Sequence, residues 1–144
     1  NIYVGPEAAQ MVFASGVPLT MLPLDVTHKV LTTRSRVARL RANGNRASTE
    51  MASMLEFFER FDEDKYGTDG GPLHEPTVIA WLIDPDMFTG RRCNVEIETG
   101  SELTLGATVV DWWKVTGRPE NALVIGDVDS DRFFDLLIER LGRL

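Results

Sequence analysis

The chain has 144 residues, 43% of them hydrophobic and 26% charged, which is enough apolar material for a real core and too much for general disorder. Twenty-two acidic against fifteen basic side chains leave a net charge of −7, which argues against nucleic acid or an anionic membrane as partner, since both are met through clustered Lys and Arg. A single cysteine, Cys93, excludes an internal disulfide framework, and no stretch approaches the roughly 18 apolar residues of a membrane span, so a soluble, cytoplasmic protein is expected.

The chain opens at Asn1 straight into the apolar run Ile2-Tyr3-Val4, as an internal stretch of a longer polypeptide would. Pro6 to Ser15 carries a helix signature: proline at the start, Glu7 in the first turn, Ala8, Met11 and Val12 on one face, and Gly16 as the stop. A short strand is expected at Val17 to Leu22, with Pro23-Leu24-Asp25-Val26-Thr27-His28 as the segment at its end. Ligands of open α/β sheets collect beyond the carboxyl ends of strands, so Asp25 and His28 are secondary site candidates. Against that stands a local role, because Asp and Thr after a strand commonly cap the next element through backbone hydrogen bonds.

Thr32 or Thr33 is placed to cap a helix running to Ala42, broken by Asn43-Gly44-Asn45. Within it Arg34, Arg36, Arg39 and Arg41 have the spacing of a solvated helix face. From Ser48 onward Met51, Met54, Leu55, Phe58 and Phe61 repeat at three- and four-residue intervals, the pattern of a helix with a core-facing stripe. The stretch from Asp62 to Gly71, polar and rich in glycine, reads as a segment without a fixed shape that could act as a lid.

Gly70-Gly71-Pro72-Leu73-His74-Glu75-Pro76 then sets an imidazole beside a carboxylate where a loop enters a helix. Pro76 suits the first helical position, where its missing N–H costs nothing, and Glu75 the N-cap before Val78-Ile79-Ala80-Trp81-Leu82-Ile83. Two readings stay open from the residues alone: Glu75 merely caps the helix, or His74 and Glu75 face a ligand, which the positive end of the helix dipole would favour if it were anionic or oxygen-rich. Further on, Val95 and Ile97 alternate with Glu96 and Glu98 as in a half-buried strand, and Thr108 to Trp113 and Asn121 to Ile125 read as two more. Thr99-Gly100-Ser101 would join the first pair, and Asp129 or Ser130 caps a last helix with Phe133, Phe134, Leu137, Ile138 and Leu141 on its apolar face. The order of elements predicts an α/β fold with a small antiparallel piece late in the chain.

Soft-ligand metal sites find no companions for Cys93, and His28 and His74 lie far apart in sequence. A hard, oxygen-ligated cation such as calcium stays open through Glu75, Asp25 and Asp69, without a complete ligand loop. No nucleophile elbow is present, and Gly67, Gly70 and Gly71 lack the spacing of a dinucleotide or phosphate loop.

Four separated stretches nevertheless share order and spacing with a known family: Asn1 to Ala9, Pro23 to His28, Gly71 to Pro76, and Thr108-Val109-Val110-Asp111. In these the chain resembles the C-terminal half of the inosine/uridine-preferring nucleoside hydrolases, calcium-dependent N-ribohydrolases. The resemblance implies that residues 1–144 are the C-terminal portion of a single domain, part of an open, mostly parallel Rossmann-like sheet, whose N-terminal half is absent. It implies that His74 protonates the departing base as catalytic acid, that Asn1 binds ribose hydroxyls, that Tyr66 belongs to a segment closing over the base, and that Glu75 ligates Ca²⁺. The family's N-terminal aspartate cluster, which supplies most metal ligands and the water-activating base, has no counterpart here. Glu75 stands where the family usually has aspartate, and Gly5 where aspartate is common. Hydrolysis of ribonucleosides to ribose and free base is therefore expected of a complete enzyme, with little activity from the isolated chain. The rival expectation is a catalytically dead, shortened relative that binds ribose, nucleoside or a partner chain. A half-sheet would expose strand edges and an apolar face, which invites pairing, including into a homo-oligomer.

Overall fold

The computed structural model covers residues 1–144 and describes all of them except Thr68 and the side chains of residues 59–66. In chain order it contains α1 (Pro6–Ala14), β1 (Thr20–Met21), α2 (Leu24–Thr27), α3 (Arg34–Arg41), α4 (Arg46–Tyr66), α5 (Pro76–Ile83), β2 (Phe88–Cys93), β3 (Val95–Ile97), β4 (Thr108–Val110), β5 (Ala122–Val128) and α6 (Ser130–Gly142). The expected α/β class holds. The chain divides into two compact units, Asn1–Met21 with Gly90–Ile125, and Leu22–Thr89 with Gly126–Leu144.

In the first unit α1 starts as its proline dictates and the chain leaves it at Gly16, whose φ of +79° would strain any side chain. β1 is shorter than expected and runs parallel to β5, with Thr20 opposite Leu123 and Met21 opposite Val124, in a sheet ordered β1-β5-β2. Cys93, Val95, Ala122 and Val124, from β2, β3 and β5, form a buried cluster, with Phe13, Leu19, Met21, Val110 and Trp112 packed around them. β2 is a strand that periodicity does not announce, because only its two ends, Phe88 and Cys93, are buried. Gly90 in this strand is a steric requirement: a Cβ there would lie 2.4 Å from the carbonyl oxygen of Val124 on β5. β3 and β4 pair antiparallel with Val95 opposite Val110 and Ile97 opposite Thr108, the hairpin expected from alternation. Asn121 ties these pieces together: its Oδ1 accepts from the Val95 N–H at 2.8 Å, and its Nδ2 donates to the carbonyls of Val95 at 2.9 Å and Phe13 at 3.1 Å.

After β4 the Asp111 carboxylate organises a turn, accepting from the N–H of Val115 at 2.8 Å, the N–H of Thr116 at 2.9 Å and the Thr116 hydroxyl at 2.6 Å. The Thr116 hydroxyl, and then the backbone N–H groups, hold the Asp111 carboxyl below the ordinary aspartate range. A depressed folded-state pKa gives stability that is present above the unfolded value, near 3.9, and lost as pH falls through the folded one. Thermal unfolding should therefore show wild type above Asp111→Asn from neutrality down to about pH 5, with the gap closing below about pH 3. A gap that persists unchanged in acid would mean that Asp111 acts by shape and not by charge.

The second unit is helical. Thr33 caps α3 by accepting from the Arg36 N–H, Asn45 caps α4 by accepting from the Ser48 N–H at 2.9 Å, and Asp129 caps α6 by accepting from the Arg132 N–H at 3.0 Å. Val37, Leu40 and Ala52 form a buried cluster, flanked by Met51, Leu55, Ile138 and Leu141. The arginines of α3 are not a bare solvated face. Arg36 bonds Asp131 at 2.7 Å, the Ser130 hydroxyl and the Leu31 carbonyl, and lies 4.3 Å over the Phe134 ring; Arg39 pairs with Asp135 and Arg41 with Glu56.

Pro23–His28 does follow the end of β1, and within it Leu24–Thr27 closes a helical turn with the N–H of Thr27 bonded to the Pro23 carbonyl. Two further expectations are corrected. The stripe on α4 is only partly core: Met54 and Phe58 are 55% and 58% exposed, while Ala52 is fully buried with Val37 and Leu40, and Met51 and Leu55 pack against that cluster. α4 also starts at Arg46 and reaches Tyr66, so helix takes up part of the stretch read as shapeless; Phe61 lies outside the described side chains. No helix among the described residues is long and apolar enough to cross a membrane.

Candidate functional site

The approach to His74 is pinned. Leu31 and Pro72 form an isolated antiparallel bridge, the Thr32 N–H donates to the Gly71 carbonyl at 2.9 Å, the Leu73 N–H donates to the Val30 carbonyl at 2.9 Å, and the Thr32 hydroxyl adds a bond to the Gly71 carbonyl at 3.0 Å. Gly70, with φ at +91°, lies against the same backbone, where a Cβ would come within 2.5 Å of the Thr32 carbonyl. At Gly70, then, the glycine serves close approach and not looseness, and Gly70 and Gly71 are both buried.

His74 follows at the mouth of α5. Its carbonyl accepts from the Thr77 hydroxyl at 2.5 Å and the Thr77 N–H at 3.2 Å, and Thr77 is fully buried. The half-buried imidazole shares a hydrogen bond between Nδ1 and the Thr27 hydroxyl at 2.8 Å, and the His28 ring centroid is 5.6 Å away at a tilt of 47°. Two of the four family-like stretches, 47 residues apart, thus meet at one imidazole.

Glu75 does not cap α5. Its own backbone is already helical, with φ at −62° and ψ at −37°, and its side chain makes no cap bond, which removes the purely local reading of this residue. The side chain is exposed, at the rim of an apolar groove of about 630 Å³ between α5 and α6 whose lining includes Val78, Ile79, Ile83 and Phe133. Asp25 is exposed on the first turn of α2. Among the described residues no group of three His, Cys, Asp or Glu side chains could hold a metal ion. Glu75 offers one carboxylate toward a calcium ion and not a shell of six to eight oxygens, so these residues alone do not fit the ion, and no step below is routed through it.

Asn1 belongs to the other unit, where it is exposed and its carbonyl accepts from the Val4 N–H at 3.2 Å at the start of a 3₁₀ turn, Ile2–Val4. The side chain of Tyr66 lies outside the described residues. Thr27 is the residue that sequence reasoning did not assign to the site. Its chemistry suggested a cap, and nothing in spacing signals a partner 47 positions away.

The model of one protein family, described as inosine-uridine preferring nucleoside hydrolase, matches residues 1–135. An uncharacterized protein of Schizosaccharomyces pombe is 52% identical over all 144 residues, which span 46% of that relative. The pyrimidine-specific ribonucleoside hydrolase RihA of Salmonella gallinarum is 50% identical over 142 residues, 98% of this chain and 46% of the relative. Among solved structures, a plant nucleoside hydrolase, the PpNRh1 enzyme, superposes with a TM-score of 0.87 at 25% identity over 100% of this chain and 47% of its own. A purine-preferring ribonucleoside hydrolase from Gardnerella vaginalis gives 0.82 at 29% identity over 96% of this chain and 44% of its own. The chain thus spans about half the length of the curated relatives it matches. With the match running almost end to end, the chain belongs to the inosine-uridine preferring nucleoside hydrolase family.

Proposed function

We propose that these 144 residues are the C-terminal portion of a single nucleoside hydrolase domain and furnish the leaving-group side of ribonucleoside hydrolysis. The observation that supports this most directly is the fixed imidazole of His74, held at Nδ1 by Thr27 and presented at the start of α5 by a bridged loop. As the C1′–N bond breaks, the base leaves with the bonding electrons and takes a proton from the other ring nitrogen, Nε2, while water supplies the hydroxyl at C1′ and releases its other proton to solvent, from which Nε2 is reprotonated. Imidazole suits the task because its ordinary pKa lies close to neutrality, where both the acid and its conjugate base are accessible. Asn1 serves the ribose hydroxyls and Tyr66 the base; in a chain of family length Glu75 would supply one carboxylate to a calcium site completed by other residues, where the ion would lower the pKa of a bound water. Names of the relatives divide between pyrimidine-specific and purine-preferring enzymes; the higher sequence identity is to the pyrimidine-specific ones, so uridine and cytidine are the first substrates to try.

The test is release of free ribose from uridine, cytidine and inosine by a chain of family length carrying these residues, with and without Ca²⁺. Activity that needs calcium supports the reading. Silence at high enzyme concentration, together with calorimetric binding of ribose to the 144 residues alone, would favour a ribose-binding relative without catalysis.

A further inference from the structure

We infer that Thr27 is a positioning residue for His74: its buried hydroxyl occupies Nδ1, so that Nε2 is the nitrogen left to exchange a proton with a substrate. Both ends of this bond are fixed by backbone. Thr27 is 3% exposed and sits in α2, with its N–H on the Pro23 carbonyl at 3.1 Å and its carbonyl taking the Val30 N–H at 3.1 Å. On the other side the His74 carbonyl is held by Thr77, and the preceding residue by the Val30 carbonyl. The 2.8 Å separation is ordinary for a hydrogen bond between a hydroxyl and a ring nitrogen.

The choice of a hydroxyl matters. It can donate to a bare Nδ1, and after rotation it can accept from an Nδ1–H. A carboxylate at the same place could only accept, which would favour the charged ring, and a backbone N–H could only donate. The doubly protonated ring that gives its Nε2 proton to the base is left as the Nδ1–H tautomer, whose Nδ1–H donates to the Thr27 hydroxyl before and after the transfer; a neutral Nε2–H ring has a bare Nδ1 that accepts from the hydroxyl and takes up a proton before it can act as the acid. Thr27 can serve both, so the imidazole keeps its orientation through a proton-transfer cycle. The His28 ring lies 5.6 Å from that of His74, and Glu75, next in sequence, and Asp25, on α2, carry exposed carboxylates.

The functional consequence rests on the reading of His74 as leaving-group acid, but the bond itself can be tested apart from it. The chain has only two histidines, so long-range ¹H–¹⁵N spectra of the histidine-labelled 144-residue chain contain two rings, assigned with His28→Gln. Thr27→Val, which keeps shape and removes the hydroxyl, should move the His74 ring nitrogens toward the averaged pattern of a free imidazole, while Thr27→Ser keeps the wild-type pattern. An unchanged His74 pattern in Thr27→Val, or loss of the pattern in a folded Thr27→Ser, overturns the inference. If Thr27→Val does not fold, Thr27→Ser alone decides. In a family-length enzyme, Thr27→Val should lower the ratio of turnover on uridine or inosine to turnover on nitrophenyl riboside about tenfold, with Thr27→Ser restoring it. If His74→Ala lowers that ratio and Thr27→Val does not, positioning by Thr27 is wrong and the proposed acid stands. If His74→Ala leaves the ratio alone, the proposed acid itself is wrong.

Discussion

His74→Ala in a family-length enzyme is expected to slow hydrolysis of uridine and inosine by about a hundredfold or more, the usual contribution of a placed general acid. The loss should be much smaller on nitrophenyl riboside, whose leaving group departs as a stable anion and needs no proton. Two structural facts make this more than an effect of truncation. The imidazole is half-buried and bonded to a side chain from another segment, and the backbone on both sides of it is tied independently of the ring, by the bridge to Leu31 and by Thr77. Removing the ring should therefore leave α5 and the loop in place, so circular dichroism and melting should change little. Equal losses on both substrates would point to a role in binding or shape and would count against proton donation.

Asn121→Ala should be the most destabilising of the substitutions considered, by about 3 kcal/mol, because three hydrogen bonds go at once and the Val95 N–H is left in a fully buried place. Individual hydrogen bonds contribute about 1 kcal/mol net, but an abandoned buried donor costs about 1–3 kcal/mol more. For a domain of this size the midpoint should fall by roughly 10 °C. Amide exchange at Val95 reads the same event locally, through faster exchange than at Val124, which lies in the sheet and away from the lost bonds. A shift below about 1 kcal/mol would show that water takes over these bonds.

Much of this was legible in the sequence, for reasons that can be named. Helices beginning with a short-range code were read closely: Pro6, Thr33, Pro76 and Asp129 stand where local chemistry puts them. The β3–β4 pairing followed from alternation, because Val95 and Ile97 are buried and the residue between them less so. What escaped was set by contacts distant in sequence. β2 carries Thr89-Gly90-Arg91-Arg92 in its middle, and Gly90 is there for the backbone of β5, which no local pattern encodes. Glu75 looked like a cap because acidic residues before a helix usually are, yet the chain is already helical at that position and the side chain turns elsewhere. Thr27 looked like a cap as well, and only the fold shows that its hydroxyl is used on an imidazole 47 residues away. His74 stands out locally, as an imidazole beside a carboxylate where a loop enters a helix, but its role came from the four matching stretches, since its neighbours in space are not its neighbours in the chain.

The contact of Gly70 with Thr32 also sets a boundary for engineering. A chimera meant to alter which nucleobase is accepted should have its splice point before Gly70: a graft that carries a side chain into that position would collide with the Thr32 carbonyl and displace the imidazole four residues downstream, whatever merits the grafted sequence has of its own.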